Sequence, residues 1–112
     1  MNRWITVTTL EEIPAQGARV VRGPDGEIAI FRTADDTLFA LENRCPHRGG
    51  PLSEGLVYEH RVACPLHDWR IDLERGAAIA PDSGCVRRYP VRCRAGVVEI
   101  NPVPMPVATL TT

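Results

Sequence analysis

Apolar and polar residues alternate over short stretches of this chain, and turn-forming residues break the pattern every few positions. From Trp4 to Thr8 the alternation has the two-residue period of a half-buried strand. Thr9 to Ile13, closed by Pro14, reads as one helical turn or a tight bend. Ala18 to Arg22 is the next strand, and the turn Gly23-Pro24-Asp25-Gly26 sends it back through Glu27 to Arg32. Ala34-Asp35-Asp36 then turns the chain into Thr37 to Glu42, so residues 18 to 42 form a three-stranded antiparallel meander. Asn43 to Ser53 is irregular. Leu56 to Tyr58 and Arg61 to Ala63 form a short hairpin, and Cys64 to His67 is a second loop. Arg70 to Leu73 with Ala77 to Ile79 makes another hairpin. Cys85 to Arg94 pairs with Val97 to Ile100 across Ala95-Gly96. Pro102, Pro104 and Pro106 exclude a central strand, so residues 101–112 are expected to be an extended, mobile tail. No stretch of 12 residues carries a helical stripe. The fold class is all-β.

Composition narrows the function. A chain of 112 residues makes one domain, here 1–112, and 44% hydrophobic residues suffice for a small core. A formal net charge of -1 offers no basic stripe for nucleic acid. No apolar run opens the chain as a signal peptide would, and none reaches the roughly 18 residues needed to span a membrane. A cytoplasmic protein is expected, without nucleic-acid or membrane partners. In that reducing compartment, four cysteines point to metal binding more readily than to disulfides.

Two loops each present one cysteine and one histidine: Cys45-Pro46-His47 and Cys64-Pro65-Leu66-His67, separated by the 16 residues 48 to 63. Cys2His2 is a zinc set, though Cys-x-His is tighter than a zinc knuckle normally uses. The pattern resembles the Rieske signature, in which two thiolates bind one iron of a [2Fe–2S] cluster and two imidazoles the other. The resemblance implies that Cys45, His47, Cys64 and His67 are the ligands, on a cluster-binding tip over about residues 43–80 of an antiparallel β-sandwich. Two ferric ions, two sulfides and two thiolates leave that centre neutral. It therefore accepts an electron more readily than a four-thiolate cluster. The resemblance further implies that His47 and His67 face solvent, as the exit for the electron. Gly49 and Gly50 are expected to let backbone amides approach the sulfides, and Pro46 and Pro65 to stiffen the loops.

High-potential respiratory members of the family join their loops by a disulfide and place hydroxyls near the sulfurs. Here Gly50 and Leu66 stand at the disulfide positions, and Asp68-Trp69-Arg70-Ile71 carries no hydroxyl. Over residues 3 to 100 the chain most resembles the small subunit of cytoplasmic NAD(P)H-dependent nitrite reductase. The shared stretches are 43–52, 64–73 and 84–91, with Asp68-Trp69 and Gly84-Cys85-Val86-Arg87 the more particular parts. That resemblance implies an accessory subunit in nitrate assimilation. Its partner would be a large subunit carrying flavin and sirohaem, where nitrite is reduced to ammonia. The alternative is a Rieske-type ferredoxin feeding the oxygenase component of an aromatic-ring-hydroxylating dioxygenase. A third reading is an interaction module whose cluster only staples two loops. Outside the ligand set, Cys85 and Cys93 are expected to be small buried hydrophobes, too far apart along one strand to bond. His60 is expected to be solvated in its turn and Trp69 to pack beneath the cluster. Arg44, Arg48 and Arg70 are candidates for a docking patch.

Overall fold

The computed structural model describes residues 3–46, 49–65, 69–80 and 83–105. Their architecture is three antiparallel sheets built from eleven strands. The middle sheet contains the expected meander, β2 (Gly17–Gly23), β3 (Gly26–Arg32) and β4 (Leu38–Glu42), extended by β9 (Arg88–Tyr89). On one side lies a three-stranded sheet of β1 (Ile5–Thr9), β11 (Val97–Ile100) and β10 (Val91–Arg94). The third sheet holds β5 (Leu56–Tyr58), β6 (Arg61–Ala63), β7 (Arg70–Asp72) and β8 (Ala77–Ala78), the two hairpins read from the sequence.

The run from Ile28 to Phe31 explains this layering. A strand with one buried face alternates apolar and polar residues, whereas one buried on both faces is apolar throughout. Ile28 and Ile30 pack with Ile13, Ala40, Tyr89, Val98 and Ile100 on one side of the middle sheet. Ala29 and Phe31 point the other way, into a second core with Leu41, Leu52, Val57, Val62, Ile71 and Leu73. The third sheet therefore rests on the middle one through its inward row Val57, Val62 and Ile71, which are paired across the strands. Arg32 ties the start of the chain to this frame, donating to the carbonyls of Leu10 at 3.1 Å and Ile13 at 2.9 Å.

Two expectations are corrected. Cys85 to Arg94 is not one strand: Pro90 divides it, with β9 pairing β4 in the middle sheet and β10 pairing β11 in the outer one. Proline has no N–H to continue a ladder, and here it marks where the chain changes sheets. The first part of the tail is also anchored. Asn101 donates to Pro90 O at 3.0 Å and Met105 to Arg88 O at 2.7 Å, so residues 101–105 lie back against β9. Residues 106–112, including Pro106, lie outside the described residues.

Candidate metal centre

Each cysteine-bearing loop is stitched by its own backbone. β4 ends at Glu42, and the chain turns so that Cys45 N–H donates to Gly50 O at 2.7 Å and Gly49 N–H to Cys45 O at 2.8 Å. Gly49 adopts a φ of 71°, a left-handed conformation suited to glycine. Its amide is thus engaged in closing the turn. The second loop leaves β6 at Ala63 and returns into β7. There Cys64 N–H donates to Trp69 O at 2.6 Å. A 3₁₀ turn, Leu52–Glu54, follows the first loop and buries Leu52 in the same core.

Cys45 and Cys64 are each only 1% exposed and belong to one cluster of packed side chains. The structure therefore brings together the two predicted thiolate ligands, which sit 19 positions apart in the sequence. Trp69 is partly buried and packs against that core. His47, Arg48, Leu66, His67 and Asp68 lie outside the described residues. Arg44 and Arg70 are exposed.

A third segment completes the surroundings. Residues 83–87 bridge the two sheets beside the first loop. Ala78 N–H donates to Gly84 O and Val86 N–H to Gly76 O, both at 2.8 Å, and Glu42 N–H donates to Arg87 O at 2.9 Å. Gly84 has a φ of 125°, and a Cβ there would lie 3.0 Å from Pro46 Cβ. Together with Cys45, Pro46, Gly49 and Arg44, this segment lines a cavity of about 490 Å³. Arg87 hydrogen-bonds Tyr89 and faces Glu42 and Asp25, which raise its pKa further and keep it charged.

Two buried cysteines on adjoining loop ends, each loop backbone-closed and each followed in sequence by a histidine, fit the donor set of a [2Fe–2S] cluster. Cys85 and Cys93 fall outside that set, and the expectation that they are buried is corrected: both are exposed. Cys85 sits on the bridging segment, in an isolated antiparallel bridge with Ala77. Cys93 shares a row with buried Val98, but β10 is an edge strand and its end runs past the core.

His60 is also not simply solvated. Its Nε2 lies 3.2 Å from Asp35 Oδ2, and its ring meets Phe39 edge-on at 5.1 Å. The Thr33 hydroxyl, Thr37 and His60 hold the Asp35 carboxyl well below the usual carboxylate range. No local pattern marks this contact, which joins two hairpin turns 25 residues apart.

Among the described residues no helix is long and apolar enough to cross a membrane. The model of the Rieske-like [2Fe–2S] domain matches residues 3–101. The anthranilate 1,2-dioxygenase ferredoxin subunit of Burkholderia cepacia is 47% identical over 75 residues, covering 66% of this chain and 68% of that one. The 3-phenylpropionate/cinnamic acid dioxygenase ferredoxin subunit of Photorhabdus laumondii is 38% identical over 98 residues, covering 85% and 90%. Other relatives are longer: the chain spans 30% of the 4beta-methylsterol monooxygenase of Methylococcus capsulatus, at 32% identity over 112 aligned residues and 90% of this chain. A Mycobacterium tuberculosis protein assigned as an NADH-dependent nitrite reductase small subunit shares the fold at a TM-score of 0.79 and 24% identity, covering 89% of this chain and 95% of its own. With the match running through all three sheets and both cysteine loops, this chain belongs to the Rieske-like [2Fe–2S] domain family.

Proposed function

We propose that this chain is the electron-transferring small subunit of an NAD(P)H-dependent nitrite reductase, with Cys45, His47, Cys64 and His67 holding its [2Fe–2S] cluster. The observation that carries the reading is the placement of the Gly84-Cys85-Val86-Arg87 run. This stretch, together with Asp68-Trp69, is what sets the nitrite reductase resemblance apart from Rieske ferredoxins at large. It lies directly against Pro46 of the first cysteine loop and is fixed to both neighbouring sheets.

When bound, the cluster supplies a one-electron couple. The chain's own residues bury the two thiolates from water and hold each loop by backbone hydrogen bonds, so the donor atoms need little ordering. The sequence has no nucleotide-binding loop, flavin site or substrate-binding constellation. Reduction of nitrite to ammonia takes six electrons, so it belongs to a larger partner carrying flavin and sirohaem, with this chain as accessory in the cytoplasm. Exposed Arg44 and Arg70 supply a charged rim that affects docking rate and salt dependence more than affinity, and Arg48 adds a further charge nearby in sequence.

A second reading, a ferredoxin serving an aromatic-ring-hydroxylating oxygenase, is favoured by the 47% identity to the anthranilate dioxygenase ferredoxin subunit. Affinity purification from the native cell under reducing conditions, paired with deletion of the gene, separates the two. The nitrite reductase reading expects a sirohaem–flavin protein in the complex and loss of growth on nitrite. Intact nitrite assimilation with loss of aromatic-ring oxidation replaces it with the ferredoxin reading. If Cys45→Ser supports full nitrite turnover, the subunit role stands, but its cluster acts as a staple.

A further inference from the structure

Asn43 is the last residue before the first loop closes, and three hydrogen bonds meet on it. Its backbone N–H donates to Glu27 O at 3.0 Å. Its side-chain Nδ2 donates to Glu27 Oε1 at 3.1 Å. Its Oδ1 accepts from the backbone N–H of Ser53 at 2.8 Å. The amide orientation is forced by chemistry: Ser53 N–H can only donate, so the atom facing it is the oxygen, and the NH₂ is left for the carboxylate. One planar group therefore spans from the start of β3 in the middle sheet to the far end of the cysteine loop.

We infer that Asn43 is a positioning residue for the metal centre: it clamps both ends of loop 43–53 to Glu27 and so fixes where Cys45 sits relative to the middle sheet. The inference rests on Cys45 being a ligand. Cys45 lies two residues inside the clamp. Without it, the far end of the loop keeps Leu52 in the core but loses the hydrogen bond that joins Ser53 to Asn43 and, through Asn43, to Glu27. Groups of this kind, which orient a ligand without touching the metal, typically change metal retention by ~10–100-fold when lost. Glu27 acts from the opposite side as the fixed acceptor. Neither residue contributes an atom to the donor set.

The test uses the cluster-loaded chain with its reduced-state EPR spectrum, its midpoint potential and its rate of cluster loss to a chelator. Asn43→Ala should keep the strand content by circular dichroism, shift the g-values and midpoint potential, and speed cluster loss by about tenfold or more. Asn43→Asp keeps the bond from Ser53 but sets a carboxylate against Glu27, so it should also speed loss. Adding Glu27→Gln to Asn43→Asp restores a donor opposite an acceptor, and retention and spectrum should return towards the parent. If Asn43→Ala does not fold, Glu27→Ala removes one arm of the clamp and should produce the same changes in weaker form. Parent-like spectra, potential and loss rate in these variants overturn the inference, as does a double variant no better than Asn43→Asp alone. Cys45→Ser, measured alongside, separates the two levels. Cluster loss there with a silent Asn43 sinks only the clamp, whereas a retained cluster sinks the ligand assignment beneath it.

Discussion

Replacing Gly55 with alanine perturbs the place where the two cysteine loops are held together. Gly55 ends the 3₁₀ turn that follows the first loop, and Ala63 immediately precedes Cys64. Gly55 has a φ of -81°, so an alanine there meets no backbone strain of its own. The obstacle is space: a Cβ would lie 2.1 Å from the Ala63 carbonyl oxygen and 2.9 Å from Val62 Cγ2. The oxygen is backbone and Val62 is fully buried, so relief requires the start of β5 to move off β6. Overpacking of this kind costs ~1–3 kcal/mol. Losing the hydrogen bonding at the Leu56–Ala63 rung adds ~1–2 kcal/mol, for a total of about 2–5 kcal/mol. At ~4–8 °C per kcal/mol in a domain of this size, the unfolding midpoint should fall by about 8–40 °C. Thermal and urea melts followed by far-ultraviolet circular dichroism measure the loss, and iron and sulfide analysis shows whether the loops still hold a cluster. Gly96→Ala is the control. It has open space and a φ of 81°, so it should cost only ~1–2 kcal/mol and leave the cluster in place. A Gly55→Ala protein with the parent's midpoint and full iron and sulfide content refutes the reasoning.

Cys45→Ser or His67→Ala should abolish the cluster and raise amide exchange between Asn43 and Ala80, while the middle sheet keeps its protection because its core extends well beyond the cysteines. Unchanged exchange in both loops argues against stapling. Because Asp35 is more acidic in the folded chain than in the unfolded one, its contribution to stability is complete above the ordinary aspartate value of ~4. It is lost as pH falls towards the depressed folded value. Asp35→Asn should therefore flatten the fall in urea midpoint on the acid side, and an unaltered slope counts against the Thr33–Asp35–His60 network. With no hydroxyl in the sequence Asp68–Ile71 and Gly50 and Leu66 in place of the disulfide cysteines, the reduction potential should lie near the low end of the Rieske range, ~-150 mV. A redox titration well above zero contradicts that reading.

Local patterning carried most of the strands in the sequence. The meander and both short hairpins follow from β-branched runs and turn residues, because those signals lie within a few positions of one another. The pairing of β1 with β11 and of β4 with β9 joins distant segments and leaves no local mark. Glu27 to Arg32 was legible as a strand, but the meaning of its apolar run Ile28–Phe31 as the shared wall of two cores emerged only with both partner sheets in place. The ligand spacing was legible because metal chemistry restricts both residue type and separation. The groups that hold the loops were not, since Gly55 and Gly84 matter for what a Cβ would strike, and Asn43 for bonds that reach 10 and 16 residues away. Cysteine usage misled for a related reason. A cysteine at an inward-facing strand position is buried only where the core extends over it, and Cys93 lies past that limit.

What the purified chain binds, and through which atoms, tests the Rieske centre most directly. Anaerobically purified protein should be red-brown, with two irons and two sulfides per chain. Pulsed EPR of its reduced state, after ¹⁵N labelling of histidine alone, should resolve strong coupling to two imidazole nitrogens. Zinc without visible absorbance contradicts the cluster, and an iron–sulfur signal lacking nitrogen coupling contradicts the ligand set.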